Sequence, residues 1–378
     1  MEALNEAGYQ VTVICPRHKG QARFEVVGNV RVYRFPAPLT GTRALNYLFE
    51  FAYTTIAITV LTLWVWIRHG MDILHIFNPP DSLFIAALLP KLAGKTVLYD
   101  LRDPAPELFL SKFQTGNHTF YRILVWLERM SCFIADHVIV VNESCRQIVI
   151  RRDRVPAERV SVVRQGPDPN RIKAGQTDPE LRRRAKTIIA YLGLISRQDG
   201  VDHLLRALSY LDRRFYYRDW LCVIIGHSEK PEELEAMTRE LGISQRTWLT
   251  GYLPDEKWVP LLSTSDLGVE PAPANPINNI STMNKLMDFM ALGIPSVAYD
   301  LPEHRVTAGE AALYASPNDE SDLAFQIARL AKDPELRARM GVIGRQRIEQ
   351  SFAWPFQKRR LLAIYEGLDN PKMSRPRT

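Results

Sequence analysis

Short runs of β-branched and aliphatic residues alternate along this chain with longer segments whose apolar positions recur every three or four residues. The first kind reads as buried strands, the second as amphipathic helices. The runs Gln10–Cys15, Val30–Phe35, Ile73–Phe77, Thr96–Asp100, His137–Val141 and Val160–Arg164 predict one series of strands. Thr187–Leu192, Trp220–Ile225, Thr247–Thr250, Leu267–Glu270, Ser296–Ala298 and Ala312–Tyr314 predict a second. Few of these runs alternate apolar with polar residues. They therefore predict α/β domains whose parallel sheets are covered by helices on both faces. The two series are separated by the polar, basic stretch Asp168 to Lys186. The expected organisation is a domain over 1–170, a linker over 171–186 and a second domain over 187–352. A helix over 353–368 is expected to pack back on the first domain, and a Pro/Arg/Ser tail over 369–378 to be disordered.

The opening of the chain departs from this rhythm. Residues Glu2 to Glu6 read as a helix closed by Ala7-Gly8, and a strand follows at once. An α/β domain ordinarily begins with a strand, so a first strand and its Gly-rich turn are expected to be missing. No basic leader precedes an apolar run, so no signal peptide is expected. Tyr47 to Ile67 is nearly all apolar, broken mainly by Glu50 and a few threonines. Three readings stand open for it: a buried or partly buried helix of the first domain, a helix lying in a membrane interface with Trp64, Trp66, Arg68 and His69 at one end, or a true span.

Composition narrows the class. Of 378 residues, 46% are hydrophobic and 24% charged, which excludes a disordered, collagenous or multi-span chain. Cys15, Cys132, Cys145 and Cys222 are scattered without CxxC spacing, so zinc and disulfide frameworks are not expected and a reducing compartment is. The net charge of +6 suits an anionic ligand or anionic membrane surface, or simply a solvated surface. No nucleic-acid-binding signature is present.

Ligands of open α/β sheets bind at the carboxyl ends of the strands. After Leu267–Glu270 comes a loop rich in Pro and Asn, then a helix expected to open near Ile280, with Asn279 or Ser281 as its N-cap. Its first-turn amides, at Ser281, Thr282 and Met283, make an anion site. Lys285 adds a positive charge, and Asp288, three residues on, can accept hydrogen bonds from a ribose diol. By themselves Lys285 and Asp288 also read as a surface ion pair. In the first domain, Asn78-Pro79-Pro80-Asp81 and Asp100-Leu101-Arg102-Asp103, with Glu107 beyond, close two strands. Asp103 and Glu107 are candidates for deprotonating an acceptor hydroxyl, or alternatively a helix cap and an ion-pair partner. Arg164 ends a later strand. His75 and His137 sit inside apolar runs and read as structural.

The run Lys285-Leu-Met-Asp-Phe-Met-Ala-Leu-Gly-Ile-Pro-Ser-Val resembles the nucleotide-sugar signature of the family 4 glycosyltransferases, a retaining GT-B family. Ala190-Tyr-Leu-Gly-Leu-Ile-Ser-Arg-Gln-Asp-Gly, Ile224-Ile-Gly-His, Leu249-Thr-Gly-Tyr-Leu-Pro and Ser265-Asp-Leu-Gly-Val-Glu-Pro follow the family order. The resemblance implies two Rossmann-like domains facing a cleft. The second would bind an NDP-sugar, UDP- or GDP-linked, through Gly193, Arg197, Gly226, Glu270, Ser281, Thr282, Met283, Lys285 and Asp288. The first would hold the acceptor through Asn78, Asp81, Arg102 and Arg164, with Asp103, Glu107 and Lys285 catalytic. No metal is implied, since protein groups replace the cation. The sequence departs from the family where Ile280 replaces a glutamate and where Leu194 and Asp199 replace phosphate-binding Arg and Lys. Arg197 is a candidate substitute. The pattern resembles the subgroup that assembles bacterial surface polysaccharide. It implies sugar transfer to a glycan or lipid-linked acceptor in the cytoplasm, at the inner face of the membrane, with 47–67 as a peripheral contact. The alternative is a truncated, non-catalytic GT-B subunit that binds nucleotide or scaffolds a glycan-assembly complex.

Overall fold

The computed structural model describes residues 1–38, 44–112, 118–173, 175 and 177–369. The chain divides into two compact units: Met1–Arg164 together with the segment from Lys358, and Gln165–Gln357.

The first unit contains strands β1 (Thr12–Arg17), β2 (Phe24–Val27), β3 (Val30–Pro36), β4 (Ile73–Phe77), β5 (Thr96–Leu101), β6 (His137–Val140) and β7 (Val160–Val162). They form two sheets, β1-β3-β2 and β4-β5-β6-β7. Among the described residues β1 pairs only with β3, and β4 only with β5. The expectation of parallel strands throughout fails at β2, which runs antiparallel to β3. This strand escapes a search for buried runs because Phe24, Val26 and Val27 are all about half exposed. Gly28, at a φ of 59°, makes the tight turn that joins the two strands.

Helices α1 (Glu2–Glu6), α2 (Ala44–His69), α3 (Phe84–Leu92), α4 (Ala105–Lys112), α5 (His118–Ile134) and α6 (Glu143–Arg151) complete this unit with the end of the C-terminal helix. Strand β5 shows how the layers are set. Val97, Tyr99 and Leu101 point to a core with Phe84, Ala87, Cys132 and Val149 from α3, α5 and α6. Leu98 points the other way, to Leu4 of α1, Val163 and Tyr365. This period of two in a fully buried strand is what the two-faced cover requires. Helix α2 is fixed along its length: Tyr53 Oη donates to the Pro36 carbonyl at 2.9 Å, Thr55 Oγ1 lies 2.6 Å from Ser82 Oγ, and Trp64 meets Tyr33 edge-on. It is not a core helix, however. Only 17% of its most apolar window is buried.

The second unit has one six-stranded sheet, β8 (Thr187–Leu192), β9 (Trp220–Ile225), β10 (Thr247–Gly251), β11 (Leu267–Glu270), β12 (Ser296–Tyr299) and β13 (Ala312–Ala315), in the order β10-β9-β8-β11-β12-β13 and wholly parallel. Its helices are α7 (Pro179–Arg182), α8 (Val201–Arg213), α9 (Pro231–Glu240), α10 (Asp255–Thr264), α11 (Asn284–Ala291), α12 (Pro302–Ala308), α13 (Glu320–Lys332), α14 (Pro334–Arg347) and the first turn of α15 (Trp354–Asp369), the rest of which belongs to the first unit. Ile189 and Tyr191 of β8 enter one core, Ile188 and Ala190 the other. Strand order runs outward in both directions from β8 and β11, so a crevice opens at their carboxyl ends.

The stretch read as a linker is packed into this unit. Leu181 is buried, Ile172 lies against the same core, and Asp178 caps α7. Arg182 pairs with Asp266 at 2.9 Å. Two apolar anchors and the ion pairs around them outweigh the polar composition. The tail beyond Asp369 lies outside the described residues.

Candidate active site

The crevice of the second unit is built on close backbone approach. Gly193, with a φ of 139°, follows β8 directly, and Gly226 follows β9. A Cβ on Gly226 would stand 1.7 Å from the Gly193 carbonyl oxygen, so only glycine fits. The following turns are joined by Ile195 N donating to the His227 carbonyl at 3.0 Å. A Cβ on Gly193 would meet Lys285 Cε at 3.0 Å, so the bare backbone there lets the lysine tip lie close against it.

Lys285 is buried in the first turn of α11. Its Nζ lies 3.1 Å from Glu270 Oε2, 3.2 Å from Tyr191 Oη and 3.9 Å from Asp199 Oδ1, and 4.5 Å from the Tyr191 ring centre. Burial disfavours the ammonium. The carboxylate of Glu270, with Tyr191 and Asp199, outweighs that and raises its pKa, so the lysine is charged. Asp199 is itself raised by burial, against the pull of Lys285. Glu270 is fully buried and accepts from Ala272 N at 2.9 Å. It therefore holds Lys285 from below.

Helix α11 begins at Asn284, later than expected. Met283 is its N-cap and gives no side-chain bond. Asn279 and Ser281 do not cap it: Asn279 lies in a short 3₁₀ turn, Asn278–Ile280, and Ser281 Oγ donates to the Ile277 carbonyl at 2.8 Å. Ser281, Thr282 and Met283 form the extended entry to the helix, all half-buried. Leu286 N bonds back to the Met283 carbonyl, which leaves the amides of Asn284 and Lys285 as the open donors of the helix. Asp288, half-buried on the same helix, makes no hydrogen bond or ion pair among the described residues. Burial, reinforced by Asp255, pushes its carboxyl up to about 7. Arg197 is exposed in the turn after β8 and pairs with no described residue.

In the first unit the expected acceptor residues separate. Asn78 is a buried clamp. Its Nδ2 donates to Asp81 Oδ1 at 2.9 Å and to the Asp103 carbonyl at 2.7 Å, and its Oδ1 accepts from Arg102 N at 2.6 Å. Asp81 is no acceptor ligand: it is buried, accepts from Tyr99 Oη at 2.5 Å, and is pushed to about 6 by that burial. Glu107 is no free base either, because both oxygens accept from Arg152, at 2.5 and 3.2 Å. Arg152 also bonds Glu128. Arg102 reaches Asp100 at 2.7 Å and covers the Phe77 ring. Asp103 is exposed at the end of β5, and Arg164 is buried at the end of the unit. His75 lies 2.7 Å from Tyr365 Oη, and His137 2.9 Å from Ser161 Oγ. Among the described residues no cluster of His, Cys, Asp or Glu could hold a metal ion.

The two units match two sequence families in order. Residues 1–166 match the glycosyl transferase 4-like domain, and residues 186–333 match the glycosyl transferases group 1. The chain belongs to the family 4 glycosyltransferases. Its similarity to alpha-maltose-1-phosphate synthase of Mycolicibacterium smegmatis is 29% identity over 270 residues, spanning 65% of this chain and 66% of that protein. Sucrose-phosphate synthase from Thermosynechococcus elongatus superposes with a TM-score of 0.78 at 18% identity, covering 98% of this chain and 92% of its own. The Anabaena protein HepE, solved with UDP-glucose, superposes with a TM-score of 0.69 at 16% identity, covering 94% and 99%. These likenesses give the fold: GT-B, with two parallel-sheet Rossmann-like domains.

Asp199, read in the sequence as a departure from the resembled pattern, shares Lys285 with Glu270. Tyr191, Asn278 and Gly200 were not singled out in the sequence. Asn278 Nδ2 ties the Gln198 and Pro273 carbonyls at 2.9 and 2.8 Å. A Cβ on Gly200, at φ 70°, would meet the Pro271 carbonyl oxygen at 2.1 Å. The glycine at 200 was a visible signal. The others depend on partners tens of residues away.

Proposed function

We propose that this chain is a retaining hexosyltransferase that takes a sugar from a nucleoside diphosphate sugar. The observation that carries this reading is the charged Lys285, buried beneath the bare backbone of Gly193 at the open N-terminal turn of α11. A diphosphate laid on the Asn284 and Lys285 amides meets that ammonium. Negative charge growing on the leaving diphosphate is stabilised there by donors already in place. Asp288, free of protein partners, takes the ribose hydroxyls. Retention follows if the leaving phosphate oxygen accepts the acceptor's proton on the face it has just vacated. Asp103, the exposed carboxylate at the end of β5, orients the acceptor hydroxyl. Glu107 serves through Arg152 as a support. The acceptor is a glycan or lipid-linked sugar, met in the cytoplasm at the membrane surface. No metal or other cofactor takes part in this scheme.

Calorimetric titration with UDP and with GDP tests it. One nucleotide is expected to bind, and Lys285→Ala to weaken it by about 1.5–3 kcal/mol, as for a hydrogen bond to a charged group. Because that change strands Glu270, the double variant Lys285→Met/Glu270→Gln gives the same answer in a neutral core. A folded chain that binds neither nucleotide points instead to a non-catalytic scaffold subunit.

A further inference from the structure

Helix α2 wears its amphipathicity inside out. Thr55 and Thr62 are buried against the first unit, at 5% and 3% exposure. Phe49, Tyr53, Ile56, Val60, Trp64 and Ile67 are all exposed, Ile67 at 86%. Their spacing of three and four residues puts them in one stripe about 27 Å long. The stripe does not end with the helix. Helix α2 packs on α3, and α3 on α5, in the layer covering one face of β4-β5-β6-β7. The outer sides of these neighbours carry exposed Leu89 and Leu92, and Trp126 and Phe133. A solvated monomer surface rarely leaves so many large apolar side chains open on neighbouring helices.

Charge selects the occupant. The only acids on α2, α3 and α5 are Glu50, which is half-buried, and Glu128, which is fully buried in its bonds to Arg152. Bases are open: Arg68 at the end of the stripe, and Arg122 beside Trp126 in a shallow depression with Thr119 and Ile123. Apolar side chains flanked by Trp, Tyr and Arg, with acids withdrawn, suit an anionic bilayer surface. There the rings and stems enter the headgroup boundary and the cations meet lipid phosphate. A span is excluded by the bonds that tie α2 to Pro36, Ser82 and Tyr33. We infer that the outer face of α2, α3 and α5 is a monotopic docking surface for an anionic lipid bilayer. This rests on the membrane-side part of the proposed function and not on its donor chemistry.

Sedimentation of the full chain with vesicles tests it, comparing phosphatidylcholine alone with phosphatidylcholine plus phosphatidylglycerol. Binding is expected to the anionic vesicles and to weaken as salt rises. The exposed-site variant Phe49→Ser/Ile56→Ser/Ile67→Ser should bind at least about tenfold less, and Arg68→Gln/Arg122→Gln several-fold less. Both should keep their nucleotide titration. A wild-type chain that ignores anionic vesicles overturns the inference. So does a dimer in solution that the triple serine variant converts to monomer without any vesicle binding, since the face would then belong to a second copy. Vesicle binding by a chain that takes up no nucleotide supports the lipid face while removing the transferase reading.

Discussion

Lys285 is a charge with two resident owners, and this sets how the site should respond to single substitutions. Glu270 and Asp199 together over-compensate it. Asp199→Asn should therefore tighten nucleotide binding a few-fold, the order expected when a like charge near an anion is removed. Glu270→Gln should instead loosen the lysine. Calorimetry on the two variants separates these directions. Asp288 gives a pH signature. Its carboxyl sits near 7, and a ribose hydroxyl donates more strongly to the ionised form. Affinity should rise between pH 6 and 8 and level off above, and Asp288→Asn should flatten the profile. That Lys285 and Asp288 share one helix was legible in the sequence because their spacing and the Gly-Ile-Pro turn are local. The partners of Glu107 and Asp81 were not. Arg152 stands 45 positions from Glu107, and no local pattern says that Asp81 is buried against Tyr99.

At the scale of elements, strand interiors could be read, and so could the start of α1 at Glu2, but not that of α11. Runs such as Ile73–Phe77, Thr187–Leu192 and Trp220–Ile225 are bounded by their own residues, and the structure places strands there. The start of α11 was misplaced because Asn279 and Ser281 look like caps. The loop before it is held instead by Asn278 reaching carbonyls on two other segments, a non-local bond that no propensity encodes. The Gly193–Gly226 contact makes a sharper test. Gly226→Ala forces two strand ends apart and should cost unit 2 at least about 2 kcal/mol, with nucleotide binding lost. Denaturant melting beside titration would register both effects.

For the whole molecule, the two units should answer to different stimuli. Nucleotide is expected to raise the melting point of the second unit, and to do so as a logarithm of its concentration. The first unit should follow pH. Asp81 and Asp153 are both pushed to about 6 by burial, well above their unfolded value. The folded state thus holds their protons more tightly than the unfolded state does. The stability they contribute is present at low pH and is lost as pH rises through about 6. The melting midpoint of unit 1 should fall between about pH 4 and 6 and level off above, and Asp153→Asn should reduce the slope. The two-unit α/β plan was legible because buried parallel strands announce themselves in composition. The split of the first unit into two sheets was not, since pairing partners are chosen by neighbours rather than by the strand itself.

The paired carboxylates around Lys285 also bear on turnover. An ammonium that waits bare for its anion clings to the spent diphosphate as firmly as to the fresh donor. Here the protein carries an internal counter-ion, so under the proposed donor reading each departing nucleotide is exchanged for Glu270 and Asp199 rather than for water. On that reading the lysine's charge is answered from within, so product should leave quickly and stray phosphate should inhibit poorly.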